Sequence, residues 1–94
     1  MTWEELFNKL DSFETLEDNW DTYGGVPITS HSIESARLFM NFLKMQNTNP
    51  SGLFICPTPG GGIGLENSLF SFYVDREGSI FVGSIIDTLK DLGL

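Results

Sequence analysis

The sequence predicts an α+β protein in which two N-terminal helices pack on a three- to four-stranded antiparallel meander, all within a single domain of residues 1–94. Three observations lead to this fold class. Apolar residues recur at helical spacing in the first half of the chain and alternate with period two in the second half. The composition, 40% hydrophobic and 19% charged, is typical of a chain that folds around a core. Ninety-four residues are too few for two separate cores.

The first predicted helix covers residues 3–16. Thr2 and Glu5 have the spacing of a capping box at its start. Its apolar face consists of Trp3, Leu6, Phe7, Leu10, Phe13 and Leu16. The polar face is acidic, because residues 1–21 contain seven acids and one base, a net charge of −6 out of −8 for the whole chain.

Residues 19–27 form a connector that is rich in turn-forming residues but carries Trp20 and Tyr23. Large aromatic side chains with polar atoms need both burial and hydrogen-bond partners. We therefore expect the connector to fold back on the domain, with Gly24 or Gly25 at a positive φ.

The second predicted helix begins after Thr29 as its N-cap and ends near Gln46, before a stop signal at residues 47–52. It is apolar on two sides. The first stripe consists of Ile33, Ala36, Met40 and Leu43, and the second consists of Leu38, Phe42 and Met45. One sheet face cannot cover both stripes. The second stripe is therefore either buried between the sheet and the first helix or forms a dimer or partner surface.

The second half of the chain predicts the meander. Its four strands are expected at residues 53–56, 63–66, 69–74 and 80–82. A glycine-rich hairpin turn at residues 60–64 joins the first two, and Gly78 is placed for a left-handed turn before the fourth. Asp87 is expected to cap a short helical turn near the end of the chain.

Charge and composition exclude several classes of function. A net charge of −8 and a pI near 4.2 disfavour direct binding to nucleic acid. The single Cys56 and single His31 exclude cysteine cages and paired-histidine zinc sites, so neither a metal nor another cofactor is expected.

No complete catalytic set is recognisable, so we expect a protein that is not an enzyme, without catalytic residues. The glycines at residues 60–64 lack the Lys and Ser or Thr of a phosphate-binding loop. Cys56 lies in an apolar run and is expected to be a buried packing residue. No run is long enough for a membrane span, and Glu4 and Glu5 stand where a signal peptide carries positive charge, so a cytoplasmic location is expected.

Two blocks carry a resemblance to a known group of proteins. Residues 19–25 read Asn-Trp-Asp-Thr-Tyr-Gly-Gly, and residues 56–66 contain a Pro-Thr-Pro turn and glycines before Ile-Gly-Leu-Glu. These blocks resemble a group of small uncharacterised bacterial and phage proteins with an Asn-Trp-Asp-Gly-Tyr-Gly-Ala segment and a Pro-Thr-Pro hairpin. The departures are Thr22 for Gly, Gly25 for Ala, Ser30 for Pro and Asn67 for Trp. The resemblance implies a compact helix-helix-sheet domain, often encoded by phages or mobile elements or beside toxin and defence genes, and it supplies no established catalytic activity.

These observations favour a small acidic interaction module that inhibits a basic protein, as an antitoxin does. The expected partner is a protein that handles nucleic acid or takes part in defence. The candidate partner-binding residues are Glu14, Glu17, Asp18, Trp20, Asp21 and Tyr23. Trp20 and Asp21 have an alternative role in fixing the connector. The alternative function is binding of a small nucleotide-like ligand, by a monomer or by a homodimer. In this alternative, Trp20 and Tyr23 stack on a base. A cluster of basic residues in one pocket would favour that alternative.

Overall fold

A computed structural model describes residues 2–68 and 70–82 and confirms the predicted α+β fold, with two helices followed by a four-stranded antiparallel sheet. The helices are α1 (Trp3–Ser12) and α2 (Ser30–Met45), and the strands are β1 (Phe54–Pro57), β2 (Ile63–Glu66), β3 (Ser71–Val74) and β4 (Ile80–Val82). The strands lie in the order β1-β2-β3-β4. The predicted helical turn after Asp87 and the predicted start of the third strand at Leu69 lie outside the described residues.

Helix α1 begins with the predicted capping box. The backbone N–H of Glu5 donates to Thr2 Oγ1, and the backbone N–H of Thr2 donates to Glu5 Oε1. The α-helix is shorter than the predicted range of 3–16, since it ends at Ser12 and continues as a 3₁₀ turn over Phe13–Thr15. The last apolar residues of this face are spaced by three, which is the period of a 3₁₀ helix, so Phe13 remains buried.

Helix α2 has the predicted start and end. The backbone N–H of Ser32 donates to Thr29 Oγ1 at 3.1 Å, and the helix ends at Met45 with Gln46 as C-cap. Asn47 follows at φ 61°, a left-handed conformation that stops the helix. The first apolar stripe of α2 is buried in the core.

The strand register defines two faces of the sheet, because successive side chains of a strand point to opposite sides. The inner face carries the two rows Ile55–Leu65–Phe72 and Pro57–Ile63–Val74–Ile80. The outer face carries the row Cys56–Gly64–Tyr73–Phe81. Cys56 is exposed on this outer face, so the expectation of a buried packing residue is wrong. In a strand that is covered on one side only, a cysteine beside a buried Ile55 must face outward.

Both helices lie on the inner face, where they complete one hydrophobic core. Helix α1 contacts β1, and α2 contacts β2 and β3. The core consists of Leu6, Leu10, Phe13, Ile28, Ile33, Ala36, Met40, Leu43, Leu53, Ile55, Ile63, Leu65 and Val74. The helices therefore form one layer and the sheet a second.

The predicted glycine-rich turn joins β1 to β2 and contacts the start of α2. The carbonyl oxygen of Gly61 accepts hydrogen bonds from the backbone N–H of Thr29 at 3.2 Å and from the hydroxyl of the fully buried Ser32 at 3.1 Å. Gly61 has a φ of 92°, and Gly78, between β3 and β4, has the predicted positive φ at 90°. The turn is thus fixed to the first turn of the helix.

We predict that Gly62→Ala lowers the free energy of unfolding by about 3 kcal/mol, because overpacking against backbone cannot be relieved by a side-chain rotation. A Cβ atom at Gly62 would lie 2.2 Å from the carbonyl oxygen of Val74. Urea denaturation measures the change. Gly60→Ala is the matched control, since its Cβ would meet only Tyr73 Oη, at 3.9 Å. Equal stability of the two variants would contradict this account of the turn.

Candidate interaction surfaces

The second apolar stripe of α2 is exposed. Leu38, Phe42 and Met45 have 65%, 54% and 79% of their surface accessible. They are spaced at i, i+4 and i+7 and therefore lie on one face of the helix, which points away from the core. The expectation that this stripe is buried between the sheet and the first helix is wrong. The alternative, a dimer or partner surface, stays a prediction.

The packing of α2 explains why nothing in the described chain covers the stripe. On one flank, Arg37 forms an ion pair with Asp11 at the end of α1. On the other flank, Phe39 packs against Phe72 of β3, with ring centroids 4.6 Å apart. Both neighbouring elements thus contact the sides of α2, and the stripe between them faces outward.

The acidic residues of the first 18 positions are exposed on the surface. The exposed acids before the connector are Glu4, Glu5, Asp11, Glu14, Glu17 and Asp18. Of the acids in residues 2–68 and 70–82, only Asp11 has an ion-pair partner, Arg37. The remaining charge is therefore free to act on an approaching molecule.

The connector is held by hydrogen bonds of its own polar residues. Asp21 Oδ1 accepts from the backbone N–H groups of Tyr23 at 2.9 Å and Gly25 at 2.8 Å. Asn19 Oδ1 accepts from the N–H of Gly24, which has the predicted positive φ, at 83°. The N–H of Tyr23 and then that of Gly25 hold the pKa of the Asp21 carboxyl below its ordinary value, since they stabilise the ionised form.

Trp20 and Tyr23 have different environments in this connector. The Trp20 ring is partly buried against the core, and its indole N–H donates to the carbonyl oxygen of Val26 at 2.8 Å. The N–H of Val26 in turn donates to the carbonyl oxygen of Pro59, which ties the connector to the β1–β2 turn. Tyr23 is 90% exposed. The contacts of Trp20 and Asp21 therefore serve the loop itself, and Tyr23 is the connector aromatic that is free to meet a partner.

The outer sheet face is a third surface, and sequence reasoning missed it. Phe54, Tyr73 and Phe81 are 64%, 38% and 54% exposed there. The sequence contained a signal for this surface, because the strands of the second half carry apolar residues on both sides of the sheet. A single helix layer covers one side only and leaves the apolar residues of the other side exposed.

A pocket near the end of α2 does not favour the nucleotide alternative. It is lined by Thr48, Asn49, Ser51, Gly52, Asn67, Ser68 and Phe70, without a lysine or arginine. The basic residues in the described ranges are Lys9 on α1, Arg37 and Lys44 on α2, and Arg76 in the β3–β4 turn. They lie on three elements, and none of them lines this pocket.

No family model matches this chain, and no curated protein or solved structure does. Over residues 2–68 and 70–82, no helix has the length and hydropathy needed to cross a membrane. In the same ranges, no three His, Cys, Asp or Glu side chains are grouped so that they could hold a metal ion.

We predict that Thr22→Gly raises the free energy of unfolding by about 1 kcal/mol. Glycine removes the steric cost of the left-handed conformation, and the larger backbone entropy that glycine loses on folding offsets part of this gain. Thr22 has a φ of 66°, which is costly for a β-branched residue. Thermal and urea denaturation measure the gain. Thr22→Ala keeps a Cβ atom at the same φ and should bring little of it, so an equal gain from both variants would refute the strain.

We predict that Asp21→Asn lowers stability at neutral pH and has less effect in acid. A carboxyl with a lowered folded-state pKa stabilises the fold above its unfolded pKa of about 4, and this contribution is lost as the pH falls through the folded value. The difference between wild type and variant, measured by urea denaturation from neutral pH downward, should shrink below about pH 4. A difference of the same size at neutral and at acid pH would contradict this account of Asp21.

Proposed function

We propose that this protein is a non-enzymatic interaction module that binds a basic protein through the α2 stripe, Leu38, Phe42 and Met45, and the acidic residues next to it. The observation that carries the proposal is the exposure of these three large apolar side chains. The protein has a complete hydrophobic core without them, so the stripe is not needed for folding. Helices that dock in grooves of partner proteins present anchors with this i, i+4, i+7 spacing.

The position of α1 adds charge to this apolar surface. Because Asp11 pairs with Arg37 on one flank of α2, the acidic helix α1 lies on that side of the stripe. Glu14, Glu17 and Asp18 extend the negative surface beyond the end of α1. A partner with an apolar groove and a basic rim complements this arrangement, and the charge would accelerate its association at low salt.

A basic protein that handles nucleic acid is the class of partner that this charge fits best, since a negative surface competes with phosphates for the same basic residues. Binding of that kind inhibits, as an antitoxin or an anti-defence protein does. The resemblance of residues 19–25 and 56–66 to phage and bacterial proteins agrees with such a role and with action in the cytoplasm.

The test is affinity capture by the tagged protein from a lysate of the organism that carries the gene, at low and high salt, with quantitative mass spectrometry. We expect a basic protein whose recovery falls at high salt. Phe42→Glu should abolish its recovery, because a charge replaces the central anchor of the stripe. The triple reversal of Glu14, Glu17 and Asp18 to Lys should slow its association at low salt.

Phe81→Glu is the matched control for Phe42→Glu, because both phenylalanines are 54% exposed and Phe81 lies on the opposite side of the molecule. It should leave the recovery of the basic protein unchanged. The proposal is overturned if both glutamate variants recover the basic protein as well as the wild type does. It is also overturned if the captured protein is not basic and its recovery does not depend on salt.

A further inference from the structure

We infer that a second copy of this chain packs on the outer face of the sheet, so that the protein is a two-fold symmetric dimer with its sheets stacked face to face. The face consists of Phe54 and Cys56 on β1, Gly64 and Glu66 on β2, Ser71 and Tyr73 on β3, and Phe81 on β4. Neither α1 nor α2 covers it, since both lie on the inner face.

The aromatic residues make this face apolar and continuous. Tyr73 and Phe81 stack with ring centroids 6.3 Å apart. Gly64, between Cys56 and Tyr73, has no side chain, and a Cβ atom there would lie 3.2 Å from Cys56 Sγ. The face is therefore a shallow surface with aromatic rings toward its sides, a shape on which a second sheet can pack.

The low charge of this face suits a second copy as the occupant. The protein carries a net charge of −8, but Glu66, at the end of β2, is the single charged residue on this face within the described strands. Stacked sheets lie about 10 Å apart with a helix layer about 10 Å outside each, so this dimer would separate the two acidic helix layers by about 30 Å. That distance exceeds the Debye length of about 8 Å at physiological salt. A dimer through α2 would instead bring the acids of both α1 helices close together.

The exposed aromatic area is small and fits a weak, reversible dimer. At about 200 Å² for each aromatic side chain, the exposed fractions of Phe54, Tyr73 and Phe81 amount to about 300 Å² per copy. A stable interface uses about 800 Å² per partner, and the rest of the face supplies part of the difference. We expect dissociation in the micromolar range. Stacking in this way would leave the α2 stripe of each copy facing outward, available to the proposed basic partner.

The experiment follows light scattering and Cys56 alkylation over protein concentrations from low micromolar to several hundred micromolar. The chain has one thiol, and it lies on this face, so an uncharged maleimide reports directly on its coverage. We expect a monomer at low concentration, a dimer at high concentration, and a parallel fall in the alkylation rate. Phe81→Glu should raise the dimer dissociation constant about tenfold or more and make the alkylation rate independent of concentration.

Phe42→Glu is again the matched control, and it should leave both dimerisation and thiol protection unchanged. Phe54→Glu on β1 is a second variant of the same face, and circular dichroism checks that each variant folds. A wild-type monomer at every concentration overturns the inference, as does an oligomer that Phe42→Glu dissociates and Phe81→Glu and Phe54→Glu do not. Because the two surfaces lie on opposite sides, loss of the dimer and loss of the basic partner are separate results.

Discussion

The hydrogen bonds at the carbonyl oxygen of Gly61 are the interaction on which the rest of the structure depends. Through the N–H of Thr29 and the hydroxyl of Ser32, this one acceptor joins the β1–β2 turn to the start of α2. The Thr29 hydroxyl also donates to the carbonyl oxygen of Arg76, which adds the β3–β4 turn to the same junction. Ser32 is fully buried, so its hydroxyl requires these partners. The junction sets how the helix layer lies on the sheet, and hence which faces remain open.

Local contacts account for what the sequence could predict of the fold. The capping box, the N-cap at Thr29 and the left-handed Gly78 depend on residues within a few positions of each other, and the structure has all of them. The limit of the first α-helix was missed because spacings of three suit both a 3₁₀ turn and an α-helix over so short a range. Cys56 was misplaced because an apolar run in a short strand does not show which side of the sheet is covered.

The candidate surfaces were predictable only in part, for the same physical reason. Periodicity placed Leu38, Phe42 and Met45 on one face of a helix, but only packing shows that α1 lies on the Arg37 flank and leaves that face open. The connector was predicted to fold back on the domain, and it does so through the packing of Trp20 on the core and the bond from Val26 to Pro59, while bonds spanning two to six positions shape the connector itself. The outer sheet face arises from pairing among four strands, which no single stretch of sequence encodes.

The helices are synthesised before the sheet that covers them. Until residues 54–82 have left the ribosome, the core stripes of α1 and α2 have only each other to pack against, and the Gly61 carbonyl that fixes the start of α2 has not been made. The nascent chain therefore spends this interval with apolar surface exposed, a state prone to aggregation. A net charge of −6 within residues 1–21 counteracts association of such chains through mutual repulsion, so the same acids protect the protein during its own synthesis.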